Sequence, residues 1–304
     1  MLLYIKRVKI VNNSSEVFHM LSINQGLECI YINVSNHPIE VEEFKAFTEY
    51  MQEEGIEVRK GLPEITASHV EDEEIVFCDD NAGILVITDS DESVSELDVA
   101  VVGYGAGYQG TASYVIESLD VWVSYLRMAY ARYMELPFVV AETDRLIIRE
   151  MTLDDLSQMY ELYESIKDCP YVEPLYEWNE EYEFCARYIE NMYTFFGHGL
   201  WLVFEKETGA LIGRAGIENR VIDGVTCREL GYLIRKDKQG QGYAIEALKS
   251  ILNYAIYDLS LKQMFICTHK DNEKSIAVAR KLGFEDYAID VDGMNIYSKV
   301  LEEV

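Results

Sequence analysis

Continuous apolar runs alternate with segments of helical period through the first part of the chain. Leu27 to Val34 reads as a strand, and Val41 to Met51 sets Val41, Phe44, Phe47 and Met51 at helical spacing, the helix ending near Gly55. Gly83-Ile84-Leu85-Val86-Ile87 is a second strand-like run, stopped by Thr88-Asp89-Ser90-Asp91. Val99-Ala100-Val101-Val102 is another, before the glycine-rich stretch Gly103 to Gly110. Ser118 to Tyr133, with Leu119, Trp122, Tyr125, Leu126 and Tyr130, predicts a long aromatic helix. Apolar runs alternating with helices predict a small parallel sheet covered on both faces.

Pro137 to Glu142 reads as a hinge, and the pattern changes beyond it. Thr143 to Glu150 predicts a strand, and Thr152-Leu153-Asp154-Asp155 an N-cap with an acidic first turn ahead of Leu156, Met159, Tyr160 and Tyr163. A second helix, about Glu180 to Met192, should bury Tyr182, Cys185, Ile189 and Met192. Leu200 to Phe204, Leu211 to Ile217 and Cys227 to Ile234, divided by Thr208-Gly209 and Asp223-Gly224, predict an antiparallel meander. A helix to about Tyr257, a strand at Met264 to His269, a helix from Asn272 and a hairpin turned at Asp292-Gly293 complete the chain.

Between the third meander strand and its helix lies Arg235-Lys236-Asp237-Lys238-Gln239-Gly240-Gln241-Gly242-Tyr243-Ala244. Glycines there let backbone N–H groups close on a ligand, and the helix start aims its unpaired donors at the same point, which suits a diphosphate. The stretch resembles motif A of the GNAT superfamily of acetyl-CoA-dependent N-acetyltransferases, Q/R-x-x-G-x-G/A. The start of its helix is similar to the branch containing the ribosomal-protein N-terminal acetyltransferases. Asp237 departs from the motif, standing where Gln or Arg is usual. Asn272 to Phe284 resembles the same family's N-x-x-S-x-x-x-x-x-x-L-G-F.

The resemblance covers residues 139–304. It implies an α/β chain: a C-terminal GNAT fold with a mixed, mostly antiparallel sheet and flanking helices, after a small Rossmann-like accessory domain at 1–138. It implies acetyl-CoA as cofactor, held by Leu233, Ile234, Arg235, Lys238, Gln239, Gly240, Gln241, Gly242, Tyr243, Ala244, Asn272 and Ser275. It also implies two strands that splay after Ile234 to admit the pantetheine arm, and a strand bulge presenting an N–H near Leu233 or Ile234 to the oxyanion. Many relatives carry an acidic tyrosine seven residues after the helix-start Asn; here that position is Ala279. In the first domain, Asp89-Ser90-Asp91-Glu92-Ser93 has the outline of a haloacid-dehalogenase D-x-D-x-T motif. Too few residues follow for that chemistry, so Asp89 or Ser90 is read as an N-cap, and the layout resembles a shortened domain of that type.

Composition narrows the partners. The 304 residues are 49% hydrophobic and 26% charged, with a formal net charge of -28, which argues against sequence-independent nucleic-acid binding. Six cysteines are scattered without C-x-x-C spacing or pairing with the five histidines, so no metal site is expected. Met1 to Lys6 lacks a signal-peptide core, and no long apolar run could span a membrane. A cytoplasmic protein with reduced thiols is expected, and a homodimer is compatible with this reading.

Acetyl transfer to an amine needs a base for the ammonium proton, a donor for the oxyanion and a proton for the departing thiolate. Glu229 and Glu218, at adjoining strand positions, are the base candidates, and Ser275 or a water stands in for the acid. The acceptor wall is assigned to Tyr171, Glu173, Tyr176, Glu177 and Trp178, whose aromatic faces and carboxylates suit a cationic amine, whether a small molecule or a protein N-terminus. The alternative is a non-catalytic acyl-CoA-binding sensor with the same fold.

Overall fold

The computed structural model describes residues 26–63, 70–71, 74–75, 83–95 and 97–302. The opening Met1 to Lys6 run and Cys78 lie outside the described residues. The chain runs β1 (Cys29–Asn33), α1 (Val41–Glu53), β2 (Glu57–Lys60), β3 (Val70–Glu71), β4 (Glu74–Ile75), β5 (Ile84–Thr88), β6 (Ala100–Tyr104), β7 (Tyr114–Ile116) and α2 (Val123–Tyr133). There follow β8 (Val139–Glu142), β9 (Leu146–Arg149), α3 (Leu156–Ser165), α4 (Trp178–Tyr188), β10 (Leu200–Glu205), β11 (Leu211–Ile222) and β12 (Val225–Ile234). The last elements are α5 (Tyr243–Tyr257), β13 (Gln263–His269), α6 (Glu273–Lys281), β14 (Glu285–Val291) and β15 (Met294–Val300).

The first sheet has strand order β2-β1-β5-β6-β7 with every pair parallel. Both helices press on one of its faces. Phe47 and Met51 of α1, and Leu126, Ala129 and Tyr130 of α2, share a core with Ile30, Ile32, Leu85, Ile87 and Val102. Among the described residues the opposite face, Cys29, Tyr31 and Val86, packs with Val94, Val99 and Leu97, and β5 and β6 are joined by a 3₁₀ turn and a loop. The expected long aromatic helix is shorter, beginning after Trp122, because Tyr114 to Ile116 forms β7 ahead of it. Val41 is 76% exposed, outside the apolar stripe.

The haloacid-dehalogenase likeness is not borne out. Asp89 has a side chain only 1% exposed, and its carboxylate accepts the N–H groups of Ser35, Asn36 and His37. This carboxylate joins the loops after β1 and β5, so it is not a free nucleophile. Nor does Ser90 cap by its side chain, although it stands at the N-cap position of the 3₁₀ turn.

The second sheet has strand order β14-β15-β13-β12-β11-β10-β9-β8. All its pairs are antiparallel except β12 with β13. The expected hinge is partly an edge strand: Val139, Val140 and Ala141 are buried, and β8 pairs with β9. A carboxylate ties α2 to this sheet. Glu150, 4% exposed, takes Arg132 Nη2 at 2.5 Å and the Phe138 N–H at 3.1 Å. The second predicted helix begins at Trp178, and Ile189–Phe195 continues it as a π-helical segment. Its buried face is Glu181 and Cys185, whereas Tyr182 points outward at 45% exposure.

Candidate active site

Strands β12 and β13 are registered at one pair, Glu229 with Phe265. Beyond it they diverge toward Ile234 and His269, and a cleft of about 1040 Å³ opens there. On its other side β12 keeps an unbroken ladder with β11, from Ile222–Val225 to Gly213–Ile234. The expected bulge is therefore absent. Because Arg235 N–H donates to Ile212 O at 2.8 Å, alternation along the ladder directs Leu233 N–H to β11 and leaves the N–H groups of Tyr232 and Ile234 facing the gap. Of these two residues, the N–H that faces the gap is that of Ile234 and not Leu233.

At the mouth, Gly240 and Gly242 adopt φ of +76° and +86°, and Gly242 is the N-cap of α5. A Cβ on Gly240 would meet nothing within 4 Å, and one on Gly242 only Arg145 Nη2 at 3.6 Å. The turn is thus an open cradle of backbone at a helix start, which fits a diphosphate. Arg145 braces it from the start of β9. Its Nη1 donates to Gln241 O at 3.2 Å, its Nε to Glu246 Oε2 at 2.7 Å, and its guanidinium lies 4.3 Å from the centre of the Tyr243 ring. Nothing in the sequence pattern pointed to Arg145, because its role depends on β9 running beside α5.

Of the residues assigned to the cofactor, Leu233, Ile234, Lys238, Gln239, Gly240, Gly242, Tyr243, Ala244, Asn272 and Ser275 line the cleft. Arg235 and Gln241 do not; Arg235 Nε donates to Asp237 at 2.9 Å, and Gln241 Nε2 to Asp237 O at 2.9 Å. Lys238 lines the cleft but is neutralised, with Nζ 2.8 Å from both oxygens of Glu205. The Lys238 ammonium, with the hydroxyls of Tyr243 and Thr208, holds the Glu205 carboxyl down to about 2. Asn272 Oδ1 caps α6 by accepting Ser275 N–H at 3.2 Å. The cleft also takes in Ile166, Asp168, Cys169, Tyr232, Lys274 and Lys281. The loop residues among these were missed because only the tertiary fold brings the α3–α4 connection over β12.

The two carboxylates come together. Glu218 and Glu229 are direct cross-strand partners, on the face opposite Tyr232 and Ile234. Glu229 Oε2 accepts Arg220 Nη1 at 3.0 Å. Burial raises the Glu218 carboxyl, Glu229 raises it further, and Arg214 and Arg220 work against the rise. Tyr188 accepts Leu200 N–H at 2.7 Å. Gly231 lies beside these groups: a Cβ there would meet Leu200 Cδ2 at 3.3 Å and Glu218 Oε2 at 3.8 Å. Cys267 borders the same site, but burial and Glu229 push its thiol up to about 12, which disfavours a thiolate nucleophile.

The acceptor residues separate. Tyr171 lines the cleft and stacks on His269, ring centres 5.3 Å apart. Tyr176 and Trp178 pack on helices, Trp178 stacked on Tyr160 at 5.3 Å and Tyr176 edge-on to Phe184 at 5.7 Å. Glu173 and Glu177 are exposed and outside the cleft lining. No helix among the described residues is long and apolar enough to cross a membrane.

Residues 145–285 match the family described as "Acetyltransferase (GNAT) domain". The "Uncharacterized protein YkkB" of Bacillus subtilis is 28% identical over 151 residues, covering 46% of this chain and 82% of that protein. The "Putative ribosomal N-acetyltransferase YdaF" of the same organism is 34% identical over 89 residues, 29% of this chain and 48% of that protein. Among solved structures, an acetyltransferase from Agrobacterium tumefaciens aligns with a TM-score of 0.45 at 26% identity, over 52% of this chain and 92% of its own.

Proposed function

This chain carries an acetyltransferase (GNAT) domain, and on that premise we propose that it moves an acetyl group from acetyl-CoA to a primary amine by direct attack in a ternary complex. GNAT acetyltransferases use acetyl-CoA, which supplies an activated acetyl thioester when bound. Gly240, Gly242 and the first turn of α5 would hold its diphosphate, and Leu233, Ile234, Asn272 and Ser275 would line its arm.

The observation that carries this reading is the pairing of Glu218 with Glu229 at the point where β12 and β13 begin to diverge. An alkyl ammonium has a pKa near ~10.4 and must lose its proton before attack. Glu218, its carboxyl raised by burial, is the group that accepts it. Glu229, ion-paired with Arg220, stands beside it and attracts the ammonium. Ile234 N–H faces the gap and donates to the carbonyl oxygen as charge builds there. No covalent enzyme intermediate is needed. The acceptor is a cationic amine that enters from the Glu218 side, and the acidic surface of the chain favours its approach.

The test is release of free CoA from acetyl-CoA across a panel of polyamines, amino-sugar amines and peptides with free N-termini. Release that rises with an acceptor supports the enzyme. Tight acetyl-CoA binding with no turnover on any acceptor favours the sensor reading instead.

A further inference from the structure

Tyr232 is the last residue of β12 to line the cleft before the strands close at Glu229 and Phe265. Its backbone faces the gap, its side chain lies on the face opposite Glu229, and it lines the same cleft as Ser275. The ring is partly buried and packs on the core cluster that contains Ala279. Several other proton donors in the cleft are committed or belong to its outer loop. Tyr243 OH donates to Glu205 at 2.5 Å. Tyr171, 40% exposed, stacks on His269, and Cys169 belongs to the same outer loop. Lys236 is paired with Asp168, Lys238 with Glu205 and Lys274 with Gln239.

This geometry points to Tyr232 as the proton donor to the departing thiolate, with Ser275 as the residue that positions its hydroxyl. The inference rests on the acetyltransferase reading of the cleft. Tyr232 Oη–H passes its proton to sulfur as the carbon–sulfur bond breaks and the bonding pair stays on sulfur. Ser275 turns its own O–H toward the tyrosine oxygen, and water then restores the phenol. The ammonium proton leaves first through Glu218. The second N–H proton passes to water as the adduct collapses, balancing the one that water returns to the phenolate, so one amide, one free thiol and one proton are formed per ammonium consumed. Burial raises the Tyr232 phenol, which keeps it protonated until the thiolate appears. The helix position that would carry a donor from α6 is Ala279, 0% exposed, so the sheet supplies the hydroxyl that the helix lacks.

The experiment compares wild type with Tyr232→Phe in two readouts. The first is steady-state turnover, and the second is the titration of the thiol of bound CoA followed by thiolate absorbance. The other ionisable groups on the cleft wall, Asp168, Asp271, Glu273, Lys281 and the paired lysines above, are the same in both proteins. A hydroxyl donating to a charged sulfur stabilises the thiolate, so Tyr232→Phe should raise the titration midpoint of bound CoA by about one pH unit. Its kcat should fall roughly 10²-fold or more with CoA affinity and thermal midpoint retained. Ser275→Ala should shift both readouts the same way by a smaller factor. Wild-type turnover in Tyr232→Phe overturns the inference, and so does slower turnover with an unchanged thiol titration. If wild type itself turns over no amine, the acetyltransferase reading fails, while the thiol titration still decides whether Tyr232 meets the sulfur.

Discussion

Replacing Gly242 with Val tests the cradle directly. Two costs arise and can be separated. At φ +86° any residue with a Cβ is strained in the left-handed region by about 1–2 kcal/mol, which predicts a thermal midpoint lower by roughly 2–8 °C. The second cost falls on the ligand. The added side chain would project beside Arg145 Nη2, 3.6 Å from its Cβ, at the mouth where backbone N–H groups of the helix start face outward. Losing two hydrogen bonds to a charged diphosphate, at about 1.5–3 kcal/mol each, weakens CoA binding by roughly 10²–10⁴-fold. Gly224→Val is the control. Gly224 has φ +78° and nothing within 4 Å of its Cβ, but it stands at the far tip of the β11–β12 hairpin. It should pay the backbone cost alone. Calorimetry with CoA and thermal melts on both variants give the two quantities. Unchanged CoA affinity in folded Gly242→Val, or an equal loss in Gly224→Val, would refute the cradle argument.

Three further outcomes are expected. Glu218→Gln should reduce kcat by roughly 10²-fold or more, while Glu229→Gln should chiefly raise the acceptor KM. Because the folded pKa of Glu218 is raised, wild-type activity should fall as pH drops below that raised value. In the window between the ordinary and raised values the native state binds more protons, so ionising this group as pH rises costs stability. A Glu218→Gln protein should therefore melt no lower than wild type at neutral pH, and a markedly lower melt would assign Glu218 a structural role. Glu205 has the opposite sign: its stabilisation is complete above about 4.5 and lost as pH falls toward about 2, a loss that acid melts of Glu205→Gln should lack. Lastly, a fragment starting at residue 139 removes Arg132 and strands the buried Glu150 carboxylate, at a cost of about 3–5 kcal/mol. One starting at residue 123 retains the pair and should melt higher while still binding CoA; equal melts would show that the boundary falls at Pro137.

What the sequence determined by itself was local and periodic. The run from Glu229 to Leu248 shows a strand, a glycine turn and a helix start in ten residues either side of Lys238, and each part follows from neighbours in the chain. The Asn272 cap and the Asp223-Gly224 turn are legible for the same reason, since caps and tight turns are satisfied within a few residues. Tertiary structure decided which side chains remain free to act. Lys238 is basic in the sequence and neutralised in the fold, because Glu205 arrives from β10. Trp178 and Tyr176 suit a cation by sequence; in the fold Trp178 stacks one face on Tyr160, Tyr176 meets Phe184 edge-on, and both stay about half exposed. Tyr232, which reads as one more sheet residue, comes to share a cleft with Ser275 only when α6 folds back across β12. Long-range partners of this kind leave no periodicity in a single chain, since the energy that selects them comes from packing between elements far apart in sequence.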